Sequence, residues 1–159
     1  DEVVVFYAGH AVQIDNVNYL LPVDISATSE DAVRDDAVEL QRILDDVQSQ
    51  RAKFTVAIID ACRDNPFQSV NGRSIGGTRG LSPTTAATGQ MIVFSAGTGQ
   101  QALDNLGAAD KEKNGVFTRV FLKHLKRPGV SIDQMVRDVR EEVFTLAKSI
   151  GHEQVPAVY

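Results

Sequence analysis

An α/β architecture, with helices packed on a mostly parallel sheet, is expected of this 159-residue chain. Apolar, β-branched runs alternate with segments of helical periodicity. The runs at Val3–Tyr7, Phe54–Asp60 and Met91–Ala96 are apolar on successive residues. That pattern marks strands covered on both faces, whereas a half-exposed strand alternates. At about 150 residues per domain the chain makes one unit, long enough to bury a core without disulfides.

Val3–Tyr7 is the first expected strand. Ala11–Ile14 and Asn18–Val23 read as a hairpin through Asp15-Asn16-Val17, with Gln13, Asp15, Asn16 and Asn18 forming its polar side and turn at an edge of the sheet. Leu40, Ile43, Leu44 and Val47 recur at helical spacing in a helix expected from about Asp36 to Ser49. Strands follow at Phe54–Asp60 and Met91–Ala96. Phe117, Val120, Phe121 and Leu125 line one side of a helix that Pro128-Gly129 stops. Ser131-Ile132-Asp133-Gln134 has the form of a capping box, opening a helix that carries Ile132, Met135, Val136, Val139, Val143 and Leu146 to about Ser149. Gln154–Tyr159 reads as a last strand, with Pro156 near an edge. Two polar stretches, Arg63–Gln90 and Gly97–Asn114, each follow the C-terminal end of a buried strand, where open parallel sheets place their ligands.

Composition narrows the function. Sixteen basic and 21 acidic residues give a formal net charge of -5, so the chain lacks the basic field that nucleic acid or an anionic membrane requires. No apolar run approaches the roughly 18 residues of a membrane span, and no leader pattern opens the sequence. Asp1-Glu2 stand directly before a buried-strand pattern, which reads as a fragment or one half of a processed protein. The expected compartment is cytoplasmic, with the periplasm or secretion left open by that start. Cys62, the single cysteine, forms no internal disulfide and no zinc site by itself. It serves either packing or chemistry.

His10 stands three residues past the first run and Cys62 two past Asp60, both at carboxyl ends of expected parallel strands. If those strands are neighbours, the imidazole can raise the thiolate population and later protonate a leaving amine. Alone, the histidine is as well explained as a hydrogen-bonded loop residue, and the cysteine better explained as a small buried hydrophobe. Their joint placement favours chemistry.

Tyr7-Ala8-Gly9-His10, the spacing of 52 from His10 to Cys62, and Ile58-Ile59-Asp60-Ala61-Cys62-Arg63 together resemble the caspase fold of cysteine peptidases, whose histidine lies about 50 residues before the cysteine. Within that clan the chain is most similar to bacterial metacaspase-like proteins, the orthocaspases, in which the octapeptide at Asp60–Phe67 recurs. The likeness extends to Asn18–Asp24 and Phe94–Asp104. It divides one peptidase domain, 1–159, into a large-subunit-like part of about 1–62, a linker of about 63–90 and a small-subunit-like part of about 91–159.

The resemblance implies a dyad of Cys62 as nucleophile and His10 as general base and acid. It implies an oxyanion hole of main-chain N–H groups from Cys62 and Ala11, the latter standing where the family usually has glycine. It also implies two strands and a helix ahead of the histidine strand. These are missing here, so a separate N-terminal fragment of the same protein is an expected partner. Caspases that cut after Asp carry Gln two residues before the cysteine; this chain has Asp60. In paracaspases and metacaspases an acid there receives Arg or Lys, and Asp104 matches a second acid of that pocket. Read alone, Asp60 is a strand-end cap and Asp104 a solvated loop acid. Ser95 and Ala96 complete the expected substrate-binding set, and Arg73 and Arg79, each beside a glycine, are expected self-cleavage sites. Metacaspases often bind calcium through several aspartates. Here Asp24 matches, but Ser69 stands near the last position and Asp35-Asp36 fall early, so neither metal nor cofactor is expected. His124 and His152 are expected to be structural or solvent-facing.

The favoured function is therefore a cysteine endopeptidase acting on proteins or peptides with Arg, or second Lys, before the scissile bond. The alternative is a catalytically weak module serving as an interaction scaffold, for which Ala11 is the one supporting feature. A different hydrolase or a nucleotide-binding domain lacks its G-x-S-x-G elbow or P-loop.

Overall fold

The computed structural model describes residues 1–26, 29–62, 81 and 84–159, Cys62 by its main chain. Its strands are β1 (Glu2–Ile14), β2 (Val17–Leu20), β3 (Val38–Glu39), β4 (Phe54–Cys62), β5 (Gln90–Phe94) and β6 (Ala157–Val158), joined in the order β3-β2-β1-β4-β5-β6. β1, β4 and β5 are parallel to their neighbours among themselves, and antiparallel strands flank them on both sides, so the sheet is mixed.

β1 runs well past Tyr7, where its apolar run ends. Ala8, Gly9 and His10 remain in the strand because their main chains pair with Asp60, Ala61 and Cys62, and that pairing needs no apolar side chain. Ile14 then pairs with Val17 across a two-residue turn, Asp15-Asn16, with φ of 49° and 65°. Both angles are left-handed, as a type I′ hairpin turn requires and as Asp and Asn tolerate better than most residues. The hairpin is not at the edge, since β3 pairs beyond β2. Asn18 is not on a polar side either: it is 6% exposed, and its Nδ2 donates to Thr84 Oγ1 at 3.0 Å.

The helix expected over 36–49 starts four residues later, and a further helix precedes it. α1 (Glu30–Asp36) is capped by Ser29, whose hydroxyl accepts from the Ala32 N–H, and α2 (Leu40–Ser49) begins with its own apolar stripe. Between them Ala37 is extended and Val38–Glu39 pair with Leu20 and Tyr19. α3 (Val116–Leu125) and α4 (Ile132–Ser149) fall where periodicity places them, and the Ser131 hydroxyl caps α4 by accepting from Gln134 N–H at 3.3 Å.

Helices cover both faces of the sheet's centre. On one face Val56, Ile58 and Val93 meet Val116, Phe117, Val120 and Phe121 of α3 and Met135, Val136, Val139 and Val143 of α4. On the other, Ala57, Ile59, Ala61, Ile92 and Phe94 meet Leu40 and Leu44 of α2, together with Leu81. Each large side chain fully buried here contributes roughly 1.5–3 kcal/mol. Leu81 and the buried Thr84 anchor the described end of the 63–90 stretch, so that end is packed rather than loose. Coverage stops at β1: Val4 and Phe6, paired with Val56 and Ile58 on the α3/α4 side, are 69% and 51% exposed. Among the described residues no helix is long and apolar enough to cross a membrane.

Candidate active site

Four segments meet at the carboxyl ends of β1, β4 and β5 and the N-terminus of α3. β1 and β4 are neighbours, and the last residues of their parallel ladder, His10 and Cys62, are Cα partners. His10 is solvent-exposed. Its carbonyl accepts from Leu21 N–H at 2.9 Å and from the Tyr7 hydroxyl at 2.5 Å; the same hydroxyl lies 3.0 Å from Leu21 O. The Tyr7 ring folds back along β1 to reach these atoms. A Cβ on Gly9 would stand 2.8 Å from its oxygen, which is why a glycine precedes the histidine. Burial raises the Tyr7 phenol above its ordinary value, so it stays a neutral donor through the physiological range.

Ala11 follows with its side chain buried. Successive strand residues send their main-chain groups to opposite neighbours. Since the His10 carbonyl turns to β2, the Ala11 N–H turns toward β4, beside Cys62.

Asp60 is two residues before Cys62 and half-buried. Its Oδ2 accepts from Thr118 Oγ1 at 2.5 Å, and the carboxylate also accepts from Thr118 N–H and the Ser95 hydroxyl. Gly115, the N-cap of α3, has no side chain to satisfy the first-turn N–H groups. Asp60 supplies that cap from β4. Burial nevertheless dominates and holds the carboxyl above its ordinary range; the Thr118 and Ser95 bonds oppose the rise and the nearby Asp104 charge adds to it.

Asp104 lies exposed in the loop after β5. A Cβ on Gly115 would stand 3.7 Å from Asp60 Oδ2, 3.9 Å from the Asp104 Cα and 3.3 Å from Leu103 O. The Asp60 carboxylate and the Asp104 main chain thus approach the same turn at the head of α3. The loop is fixed there by Val116 N–H donating to Leu103 O at 2.9 Å and by Gln154, fully buried, which receives Leu103 N–H at 3.0 Å and donates to Ser95 O at 2.8 Å. Asp110 closes the loop's far end. It accepts from Leu106 N–H, Glu112 N–H and both oxygens' worth of contact with Arg119 Nη1, at 2.9 and 2.8 Å, and these bonds hold it below the usual carboxylate range.

Ser95 and Ala96 are buried, main chain as well as side chain, with the Ser95 hydroxyl turned to Asp60. Arg63, Ser69, Arg73 and Arg79 lie outside the described residues. Asp24, Asp35 and Asp36 are exposed, and among the described residues no three His, Cys, Asp or Glu are grouped to hold a metal ion. His124 is buried between Glu142 Oε2 at 2.7 Å and Arg127 Nη1 at 3.1 Å, and His152 lies 2.8 Å from Gln101 O, so both serve the scaffold.

The caspase domain family matches the sequence over residues 1–159. The chain belongs to the caspase domain family. That family is one of peptidases. Among solved structures, the one titled "structure of pro-sf-caspase-1" matches with a TM-score of 0.54 at 15% identity, covering 100% of this chain and 61% of that one. At such identity the likeness is one of fold, and this chain spans less than two thirds of that caspase's length. A search of curated proteins finds no match.

Tyr7, Thr118 and Gln154 were invisible as site residues in the sequence. Thr118 left one faint signal: a helix opening on Gly115 needs a cap from elsewhere, and an acid at a strand end is a ready donor of one.

Proposed function

We propose that this caspase domain is a cysteine endopeptidase of the metacaspase-like branch, with Cys62 as nucleophile, His10 as general base and acid, and Asp60 with Asp104 receiving Arg or Lys before the scissile bond. The observation that carries the reading is the pairing of His10 with Cys62 at the end of the β1–β4 ladder, two pairs beyond Asp60, whose carboxylate lies at the turn that the Asp104 main chain also approaches. In this mechanism the imidazole takes the thiol proton, the thiolate attacks the peptide carbonyl, and main-chain N–H groups of Cys62 and Ala11 receive the developing oxyanion. The tetrahedral adduct collapses as the imidazolium protonates the leaving amine, and water then hydrolyses the thioester with the imidazole again as base.

An Arg or Lys side chain answers the paired carboxylates, which otherwise repel. Arg is preferred because its planar fork can bridge two acids, whereas Lys brings a point charge. Self-cleavage after Arg73 or Arg79 belongs to the same reading; N-terminal sequencing of aged active protein should find new termini at Ser74 or Gly80, and intact bonds there count against it. An N-terminal segment of the same protein is the natural cover for Val4 and Phe6, whose exposure leaves an apolar strip along β1.

The deciding experiment is labelling with a peptidyl electrophile bearing Arg. Stoichiometric modification of Cys62 at low reagent concentration supports the peptidase. An unmodified thiol in folded protein returns the domain to a scaffold.

A further inference from the structure

We propose that Thr118, on the first turn of α3, is a positioning residue for substrate selection: its hydroxyl and N–H clamp the Asp60 carboxylate in the orientation that receives a basic side chain. The inference rests on the reading of Asp60 as a substrate-binding acid, and it adds a residue from a different element that no sequence motif marks.

The geometry is specific. A carboxylate offers about four lone-pair positions. Thr118 Oγ1 takes one of them, on Oδ2 at 2.5 Å, and the Thr118 N–H and the Ser95 hydroxyl bear on the same carboxylate, so fewer remain for a substrate. A guanidinium shared between Asp60 and Asp104 uses what is left. The orientation of Asp60 decides whether that shared geometry is met. Ser95 is held by the end of β5, with its N–H on Ile59 O at 2.9 Å, so it orients the carboxylate from the sheet side. Thr118 orients it from the helix side. Gly115 leaves room for the Asp60 oxygen and the Asp104 main chain to approach the same turn.

Thr118 also favours the ionised form of Asp60, against burial and the Asp104 charge. The charged group that bears on Asp60 among the described residues is Asp104, from the loop after β5, and the titratable His10 stands two pairings further along the β1–β4 ladder. The Arg119 guanidinium of α3 is engaged by Asp110 instead. With the clamp removed, Asp60 should hold its proton to higher pH, and the loss of basic substrates should be worst on the acid side.

The test pairs Thr118→Val, which keeps the shape and removes the hydroxyl donor, with Thr118→Ser, which keeps the donor. On a peptide with Arg before the scissile bond, Thr118→Val should raise KM roughly tenfold with kcat within about twofold, the size of one charge-assisted hydrogen bond. The acid limb of kcat/KM should move to higher pH for that peptide and stay in place for one with a neutral residue there. Thr118→Ser should restore both. Unchanged KM and acid limb, or equal losses on Arg and neutral peptides, overturn the inference while leaving the Arg preference intact. A readout independent of activity uses Cys62→Ala protein with and without Thr118→Val, following the Asp60 carboxyl carbon by NMR. Titration at higher pH in the valine variant supports the clamp, and no movement refutes it. A wild-type enzyme with no preference for Arg or Lys would instead defeat the pocket assignment itself. Should the valine variant not fold, a Thr118→Ser protein that fails to match wild type in KM and acid limb overturns the proposal.

Discussion

His10 and Cys62 are Cα partners, the final in-register pair of the parallel ladder between β1 and β4. Register of this kind is set by nine consecutive main-chain pairings and does not depend on either side chain. Cys62→Ala and His10→Ala should therefore each abolish peptide hydrolysis while melting within a few degrees of wild type. The double variant should lose little more than either single one, since parts of one catalytic unit are not additive. A single variant retaining more than about a tenth of wild-type kcat/KM removes its residue from the dyad.

Asp60 separates function from stability. Its folded carboxyl titrates above the ordinary value, chiefly through burial, so the ionised form is penalised in the fold at neutral pH, and that penalty fades as pH falls through the raised value. Asp60→Asn should consequently leave the denaturant midpoint at pH 7 unchanged or higher. The same change should lower kcat/KM on Arg peptides by about 30-fold to several-thousand-fold, which is roughly 2–5 kcal/mol, and leave neutral peptides nearly unaffected. Faster cleavage after Asp than after Arg by the wild type would contradict the pocket.

Asp110 has the opposite sign. Its carboxyl is held low first by the Leu106 and Glu112 N–H groups and then by Arg119, so its contribution is complete above the ordinary carboxylate pKa, about 3.9, and is lost as pH falls through the lower folded value. Asp110→Asn should be less stable than wild type at pH 7, with the gap closing in melts taken at progressively lower acid pH. A gap that persists or widens in acid would mean the ion pair and its N–H bonds are not what the loop depends on.

Gln154 is a buried bridge from the C-terminal segment to Ser95 and Leu103. Gln154→Leu matches it in volume but strands a carbonyl and an N–H, a loss of about 2–4 kcal/mol. The lower midpoint should come with weakened Arg-peptide binding, because Asp104 follows Leu103 directly. Weakened binding without a stability loss would not fit this role.

Tyr7 and Gly9 form a coupled pair. Gly9→Ala places its Cβ against the Tyr7 oxygen, so the ring must swing away and release His10 O. Removing that oxygen first, with Tyr7→Phe, should make the added effect of Gly9→Ala on kcat/KM smaller than in wild type. Equal effects in both backgrounds would uncouple them.

Strands that fill the sheet's centre are legible because burial on both faces leaves continuous apolar runs, and the helix packed as α4 announces itself through Ser131 and six apolar positions, four of them buried. β1 outruns its apolar signal: its later residues are held by main-chain pairing, and Ala8, Gly9 and His10 carry no apolar run. α1 and β3 escaped for a related reason, since a seven-residue helix with one buried residue, Val33, and a two-residue strand have too few positions for a period to appear. In the site, His10, Cys62 and Asp60 lie within local motifs. Thr118 and Gln154 act across 58 and 59 residues, through hydrogen bonds that no local pattern encodes.

β1 changes partners at the histidine. Residues 2–10 pair with β4, residues 11–14 pair with β2, and the His10 carbonyl is already drawn to Leu21. The imidazole thus hangs from a stretch of backbone gripped on both flanks, like a post set where two fences join. Most of the ordering entropy of that segment is spent during folding, leaving less to be lost when a peptide arrives. The Asp15-Asn16 tip, only a few residues further on, is stiffly coupled to the same post. A protein or antibody fragment that bends the hairpin would turn the histidine without touching His10, Cys62 or Asp60.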